Sequence, residues 1–396
     1  MHIRFLNRFS YAAAVASFLV VSSLAAPFSQ AATVTLAGLA YAGDSQSITT
    51  RFPYTRRLEA TQAAAGSPLN KQIAQMMARN KPANFELNQS ALAELKGQDQ
   101  AVVVALVITG ETVSAERFGN MSKLLTQVRA QAMFFDFKSM VVVRSYPFSF
   151  SHLDVIDHQP SQAEMNHRFQ AVYYGEQGKA GIFARFAETV NQATLPINVP
   201  RFVQVIQVKI GDEAREVLSK QVKNAANEAE TFVADVFAES LSSKTGIPML
   251  PYSKGYAIGN VMSMRVADGD VYNLKLPEPD YTITLSVPRF KKIKSSEVAA
   301  GASYIYGAYS RVTIQEPTSG RTYLDADFKN GEVKLVPASQ DSTDDFPAYY
   351  DAMKGLYVKL ATNLAGTKTD WLSSATSAPD ISQQLTSTQE LLKSCK

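Results

Sequence analysis

The chain carries one pattern twice, and that repetition limits its possible folds more than any other property. The segment Val34-Thr-Leu-Ala-Gly-Leu-Ala-Tyr-Ala-Gly43-Asp44 is echoed by Phe202-Val-Gln-Val-Ile-Gln-Val-Lys-Ile-Gly211-Asp212. Farther along, Tyr173-Tyr174 followed by Gly181-Ile-Phe-Ala-Arg-Phe-Ala-Glu188 is echoed by Tyr349-Tyr350 followed by Gly355-Leu-Tyr-Val-Lys-Leu-Ala-Thr362. The first pair lies 168 residues apart (212 − 44) and the second 174 to 176, so the spacing is nearly kept. A duplicated unit of that length predicts two similar domains rather than a solenoid of short repeats. With 396 residues, 46% apolar and 19% charged, the chain is also too long for one comfortable core.

Each copy opens with a strand, at 34–42 and 202–210, and continues into helix: 56–65 and a second helix capped by Ser67 in the first copy, a long amphipathic helix over 213–243 in the second. A second strand follows. The 101–108 run is apolar throughout, as in a strand covered on both faces, whereas 281–287 alternates and should be covered on one. Hairpins are predicted at 128–137 with 140–146 and at 308–314 with 321–328, the second turning through Pro317 and Gly320. Closing helices begin at the capping box Ser161-x-x-Glu164 and at Asp344 or Asp345 with Pro347. The reading is an α/β (α+β) chain of two tandem modules, each a mixed sheet with a hairpin packed by helices. The expected boundaries are 32–195, a stiff Pro-containing linker at 196–200, 201–366, and a polar, partly disordered tail over 367–396.

Residues 1–31 read as a secretory signal peptide: His2, Arg4 and Arg8 precede a short apolar run over 11–26, and Ser29-Gln30-Ala31 ends it with small residues around a cleavage site. Loss of Arg4 and Arg8 takes the formal net charge from +3 to +1, leaving no basic field for nucleic acid. No Cys follows the apolar run, which argues against a lipidated start. The single Cys, Cys395, excludes an internal disulfide framework. The expected location is across the inner membrane, in the periplasm, with membrane contact at most peripheral.

The segment Pro279-Asp-Tyr281-Thr-Ile-Thr-Leu285, set in a module of opening strand, long helix, later strand, hairpin and closing helix, resembles the α/β modules of the curli secretion subunit family, the penicillin-binding-protein activators and the amino-terminal domain of TolB. The resemblance implies an envelope protein that works by assembly or by binding another protein, with no cofactor and no catalytic residues to carry over. The lipidated Cys of the lipoprotein members is missing here.

Reactive constellations are sparse. His152, Asp154, His158 and His167 are suitable metal ligands by type, but their spacing fits no known motif, and a solvated loop explains them as well. Gly175-Glu-Gln-Gly178-Lys-Ala-Gly181 lacks the length and the Ser or Thr of a phosphate loop. Tyr173, Tyr174, Tyr349, Tyr350 and the only Trp, Trp371, are the candidate interaction residues, since Tyr and Trp give rigid contact area with one polar handle. The functional expectation is a non-enzymatic protein of the bacterial cell envelope, acting in protein interaction or assembly with another envelope protein or with itself. The alternatives are a metal-dependent hydrolase using the 152–167 region and a small-ligand binder with its site between the modules.

Overall fold

Thr33–Ala42 (β1) is buried on both faces from Val34 onward, so it lies inside the molecule rather than at a sheet edge. The structure is a computed structural model and describes residues 32–396 apart from 44–47, 90–91, 96–100, 119, 177, 196–199, 220–227, 253, 255–256, 259, 267–268 and 340–343. The signal segment, Asp44 and Pro196 therefore lie outside the described residues. After β1 come Ile48–Arg51 (α1), Pro53–Ala64 (α2), Leu69–Arg79 (α3) and the short Glu86–Asn88 (β2). Val102–Phe118 (β3), Met121–Asp136 (β4) and Val141–Ile156 (β5) form a meander, closed by Gln162–Tyr174 (α4) and Ile182–Gln192 (α5). The second half runs Val203–Ile210 (β6), Asp212–Ser219 (α6), Glu228–Thr245 (α7), Ala257–Ile258 (β7), Val261–Val266 (β8) and Val271–Lys275 (β9). It continues with Tyr281–Val287 (β10), Phe290–Val298 (β11), Gly301–Glu316 (β12), Arg321–Pro337 (β13), Phe346–Leu364 (α8), Trp371–Ala375 (α9) and Ile381–Lys393 (α10).

The duplication recurs in the strand pairing. In the first copy β1 runs parallel to β3, which pairs antiparallel with β4, and β4 with β5; in the second, β6 runs parallel to β10, antiparallel to β12, which pairs with β13. Even the irregularities match. Ala37 bulges from β1 and Ile206 from β6, each after three paired positions, while Val143 bulges from β5 and Tyr323 from β13, 180 residues apart (323 − 143). The hairpin turns correspond as well: Met140 (φ 54°) and Gly320 (φ 70°) occupy the same left-handed position, and Ser139 and Ser319 each clasp an acid three residues back, Asp136 and Glu316. A one-residue slip would invert every side chain of a strand, so shared bulges tie the two copies to one register as well as one topology. Both sheets are mixed and carry helices, the α/β class expected from the sequence.

Three features depart from that expectation. First, β8 pairs with β1 and β9 pairs with both β8 and β5, so strands from the second half close the first sheet into a ring β1-β3-β4-β5-β9-β8. Its interior is filled by Ala40, Val103, Ala105, Met133, Phe135 and Met264, alanines allowing the walls to approach. Second, the long amphipathic helix expected over 213–243 is described as α6 and α7, with 220–227 outside the described residues, and α7 is buried all round rather than on one stripe. It lies between β5 of the first sheet and β6 with α8 of the second, so both faces must be packed. Third, the tail is folded: Leu385, Leu391, Leu392 and Cys395 enter the second core. Gln384 Oε1 accepts from the backbone N–H of Asp325 (2.8 Å) and the Thr388 hydroxyl donates to the Tyr323 carbonyl, so α10 satisfies part of the free edge of β13. The sequence reads as a polar tail because its apolar residues fall at helical spacing among Ser, Thr and Gln, enough to dock one stripe.

Residues 32–396 form one compact unit. Among the described residues no helix is long and apolar enough to cross a membrane.

Candidate functional site

The residue pattern of β4 decides how the modules meet. Its even positions Val128, Ala130, Ala132 and Phe134 turn toward the helices of the first module, while odd positions further along carry Gln127, Arg129 and Gln131, polar side chains that need partners when covered. Gln131 accepts from Ser145 Oγ (2.7 Å) within the first module, and module two partners Arg129 and Gln127. The Arg129 guanidinium lies over the Phe232 ring (4.7 Å to its centre), pairs with the Asp235 carboxylate (3.5 Å) and donates to Thr112 Oγ1 (3.1 Å). Gln127 Nε2 donates to the Tyr350 hydroxyl (2.6 Å), and Ser149 Oγ donates to Glu239 Oε1 (2.8 Å), which also pairs with Lys354 (3.5 Å). Burial pushes the Lys354 ammonium down, but Glu239 and the Tyr350 hydroxyl outweigh it and hold the group above its usual range. Asp344 accepts from Ser114. Gly110 makes room for this arrangement, because a Cβ there would lie 2.0 Å from Arg129 Nη2.

The equivalent face of the second module is uncovered. The 180-residue offset sends Arg129 to Tyr309, Gln127 to Gly307, Leu125 to Ile305, Ser149 to Lys329 and Leu153 to Val333. Here β11, β12 and β13 project as a three-stranded sheet whose rows read straight across. Lys291 pairs with Gly307 and Gly307 with Gly331; Ile293 pairs with Ile305 and Ile305 with Val333. Arg289 stacks on the Tyr309 ring (4.9 Å), opposite Lys329. Ile293 is 53% exposed, Ile305 36%, Val333 67% and Leu335 67%, an apolar patch on the side away from α8. The two glycines lower the floor, and a depression of about 440 Å³ opens there, bordered by Lys291, Tyr309, Lys329, Lys359 and Trp371. Lys359 is held by Asn330 Oδ1 (2.8 Å), whereas Lys291 and Lys329 have no ion pair among the described residues. The opposite side of this arm is basic too: Lys292 lies over Tyr304 and Tyr306 and pairs with Asp345 (2.8 Å).

The candidate residues from sequence scatter. His152 faces Glu176 (3.7 Å), Asp154 pairs with Arg168 (2.7 Å), and His158 bridges Asp157 (2.8 Å) and Glu164 (2.6 Å); His167 is exposed on α4. The Ser161 backbone and hydroxyl, and then His158, pull the Glu164 carboxyl down to about 2, the capping box at work, while Asp157 and Glu164 raise His158. Among the described residues no three His, Cys, Asp or Glu side chains converge to hold a metal. Tyr173 is buried with its hydroxyl on Thr55 Oγ1 (2.5 Å), and Tyr174 is half-buried against Phe183. Tyr349 packs between Phe290 and Tyr306, and Tyr350 is spent on the seam between modules. Of the five aromatic candidates only Trp371, stacked on Phe328, borders the open face. Cys395 is buried, its thiol raised to about 11 chiefly by that burial, so it does not sit on a free tail for pairing between chains.

At the linker the seam is tight. The Met249 N–H donates to the Ser145 carbonyl (2.8 Å) and the Leu250 N–H to the Val203 carbonyl (2.9 Å), leaving beside Arg144 a cavity of about 10 Å³, room for a single water. A small-molecule site at this point of the seam has no space.

The open face left no motif in the sequence. Its signal is subtler: on β12 and β13 apolar residues occupy the odd positions Ile305, Val333 and Leu335 as well as the even positions Tyr306, Ala308 and Phe328, so one end of the hairpin is apolar on both faces.

No family model matches this chain, and no curated protein matches it. Among solved structures, a Xanthomonas campestris protein of the DUF330 family aligns at 13% identity, covering 43% of this chain and 87% of that one, with TM-score 0.21. A hypothetical protein of Chlamydia trachomatis aligns at 12% identity over 42% of this chain and 97% of its own (TM-score 0.22). A Helicobacter pylori protein described as a homologue of neuraminyllactose-binding hemagglutinin aligns at 10% over 44% and 92% (TM-score 0.22).

Proposed function

We propose that this chain is a non-enzymatic protein of the bacterial cell envelope, exported by residues 1–31, and that it acts in the periplasm by binding another protein through the uncovered face of its second module. One observation carries the reading: the rows that the first module buries under α7 and α8, from Leu125 to Arg129, are open from Ile305 to Tyr309 in the second, where they join an exposed apolar and basic surface; at the outer end of the hairpin both copies expose apolar residues, Leu153 and Val155 in the first and Val333 and Leu335 in the second. Isolated apolar side chains are ordinary on a surface, and the largest contiguous patch on a protein, about 300–600 Å², is often functional. The His158–Glu164 cluster is part of a helix cap and the Arg129–Asp235 and Glu239–Lys354 pairs belong to the seam, as befits a scaffold.

The experiment is site-specific photo-crosslinking in cells from position 305 or 333, with position 311 on the same sheet as the comparison, combined with fractionation. A discrete adduct from 305 and 333, in the periplasmic fraction and lost with Lys291→Glu/Lys329→Glu, is expected. Equal labelling from all three positions, or retention in the cytoplasm, overturns the proposal.

A further inference from the structure

The first module displays what its own face binds, and the second module's face inherits that geometry. On the first sheet the occupant is α7, which presents Phe232, Asp235 and Glu239 in successive turns, an aromatic followed by two acids at i+3 and i+7, to Arg129 and Ser149. The matching rows of the second sheet hold Arg289 with Tyr309 and Lys329, then Lys291 with the two glycines, then Ile293, Ile305 and Val333. Lys329 stands where Ser149 receives Glu239, so the inherited surface has gained positive charge at the point where an acid arrives. Resting on the reading above, we infer that the partner docks an acidic amphipathic α-helix on this face, with carboxylates against Arg289, Lys291 and Lys329 and an apolar stretch against Ile293, Ile305, Val333 and Leu335.

The spacing constrains the helix. From the Lys329 row to the Val333 row is four strand residues, about 13 Å, which for a helix lying along the strands is about nine residues. The acidic turn and the apolar turn of the partner are therefore two to three turns apart.

Two other occupants fit less well. A second copy meeting this face symmetrically brings the positive charges of Arg289, Lys291 and Lys329 to a surface that already carries the same three. The apolar patch, on the order of 400 Å², is also about half of what each partner contributes to a standard interface. Head-to-tail docking of a second copy would bring the 60–77 region, which the 168-residue offset matches to α7; there the exposed Lys71 stands where α7 carries Glu239, the wrong sign. An anionic bilayer matches the charge, but the basic rows lie in a depression floored by Gly307 and Gly331, which suits a narrow convex body better than a flat surface.

Trp371 borders the depression and is the only Trp of the chain, so its fluorescence reads occupancy directly. The probe is a stapled 18-residue helix bearing Phe, Asp and Glu at the α7 spacing and Leu two to three turns on, titrated into the full chain. Saturable perturbation of Trp371 is expected, at least tenfold weaker for Lys291→Glu/Lys329→Glu and for Val333→Asp, and absent for a probe with both acids changed to Lys. Two parallel arms use vesicles of phosphatidylglycerol and phosphatidylcholine in flotation and the chain alone in sedimentation velocity. If the helix is inert while either arm responds to the same variants, the helix inference falls and the interaction face stands. If none of the three responds, both fall.

Discussion

The pair Arg129 and Asp235 should be the energetic node of the seam between the modules, and Asp235→Asn tests it at nearly constant volume. Arg129 is 8% exposed and Asp235 5%, so neither charge is solvated, and no other carboxylate is paired with Arg129 among the described residues. Loss of the carboxylate charge leaves the guanidinium with the Thr112 hydroxyl and the Phe232 ring. Breaking one side of a buried ion pair costs about 3–5 kcal/mol, most of it the uncompensated charge that remains. The guanidinium keeps its place over the Phe232 ring and the amide introduced at position 235 remains polar, so we expect the lower end of that range, about 3 kcal/mol, in urea unfolding. Arg129→Met alone removes the cation beside the Asp235 carboxylate, which keeps the Thr109 hydroxyl (3.4 Å) among its partners, and should also destabilise the chain. The double variant Arg129→Met/Asp235→Leu removes both charges and should lie within about 1 kcal/mol of the parent, because a well-packed apolar pair substitutes well for a buried ion pair. With Asp235→Leu as the second single variant, the coupling in the cycle is the decisive quantity. A cost below about 1 kcal/mol for Asp235→Asn, or single costs that simply add in the double variant, would refute the view that this pair fixes the seam.

Glu111 makes a pH test. Its carboxyl is raised to about 7 from 4.5, first by burial, against the opposing hydrogen bonds from Thr55 and from the Thr55 and Tyr54 backbone N–H groups. Between pH 4.5 and 7 the folded chain therefore holds a proton that the unfolded chain has lost, so this group's stabilisation is complete below 4.5 and falls away as pH rises through 7, by up to roughly 3 kcal/mol. Glu111→Gln should flatten that part of the stability profile, and an unchanged slope would reject the assignment. Gly320→Ala places a Cβ in a left-handed turn with open space around it, so the cost should be the conformational one alone, about 1 kcal/mol as a lowered urea midpoint; no shift would mean that the turn relaxes. Truncation after Gly366 removes the buried Leu385, Leu391 and Leu392. At about 1.5–3 kcal/mol each that loss rivals the whole stability of a typical domain, so the shortened chain should lack cooperative near-UV unfolding, and a sharp parent-like transition would show the tail to be dispensable.

What the sequence revealed depended on how local the cause was. Both hairpin turns were legible because Lys138-Ser139 and Pro317 to Gly320 are turn chemistry within a few residues, and the Ser161 capping box was legible for the same reason. The full strands were not. The lysine-rich segment 291–294 carries no strand pattern, yet β11 is a strand, exposed beyond Phe290 and held by its backbone pairing to β12, by Phe290 in the core and by the Lys292–Asp345 pair. The closing strands β8 and β9 are five or six residues long with polar residues between their apolar ones, too little pattern to announce that they complete a sheet begun more than 200 residues earlier. The seam was hidden because Arg129 and Asp235 are ordinary charged residues until the two segments meet.

Duplication gives the open face its significance. When a folded unit is copied in tandem, both copies begin with the same surface, and packing one against the other covers it once. In the covered copy that surface is part of the seam: Gly110 leaves room for Arg129, Gln127 meets Tyr350, and Ser149 meets Glu239. The uncovered copy has no such partner and would be expected to drift toward polar residues, since exposed apolar side chains on a projecting sheet invite aggregation. Ile305, Val333 and Leu335 are apolar on the outer side, as Leu153 and Val155 are at the outer end of the first copy, Gly307 and Gly331 keep the floor low, and Lys329 stands where α7 delivers its acid in the other copy. The hydrogen-bonding edge of β13 is meanwhile covered by α10 at Tyr323 and Asp325. A chain that guards its edge while leaving an apolar face open beside it distinguishes between the two surfaces, and that selectivity argues for an occupant on the face rather than for unfinished packing.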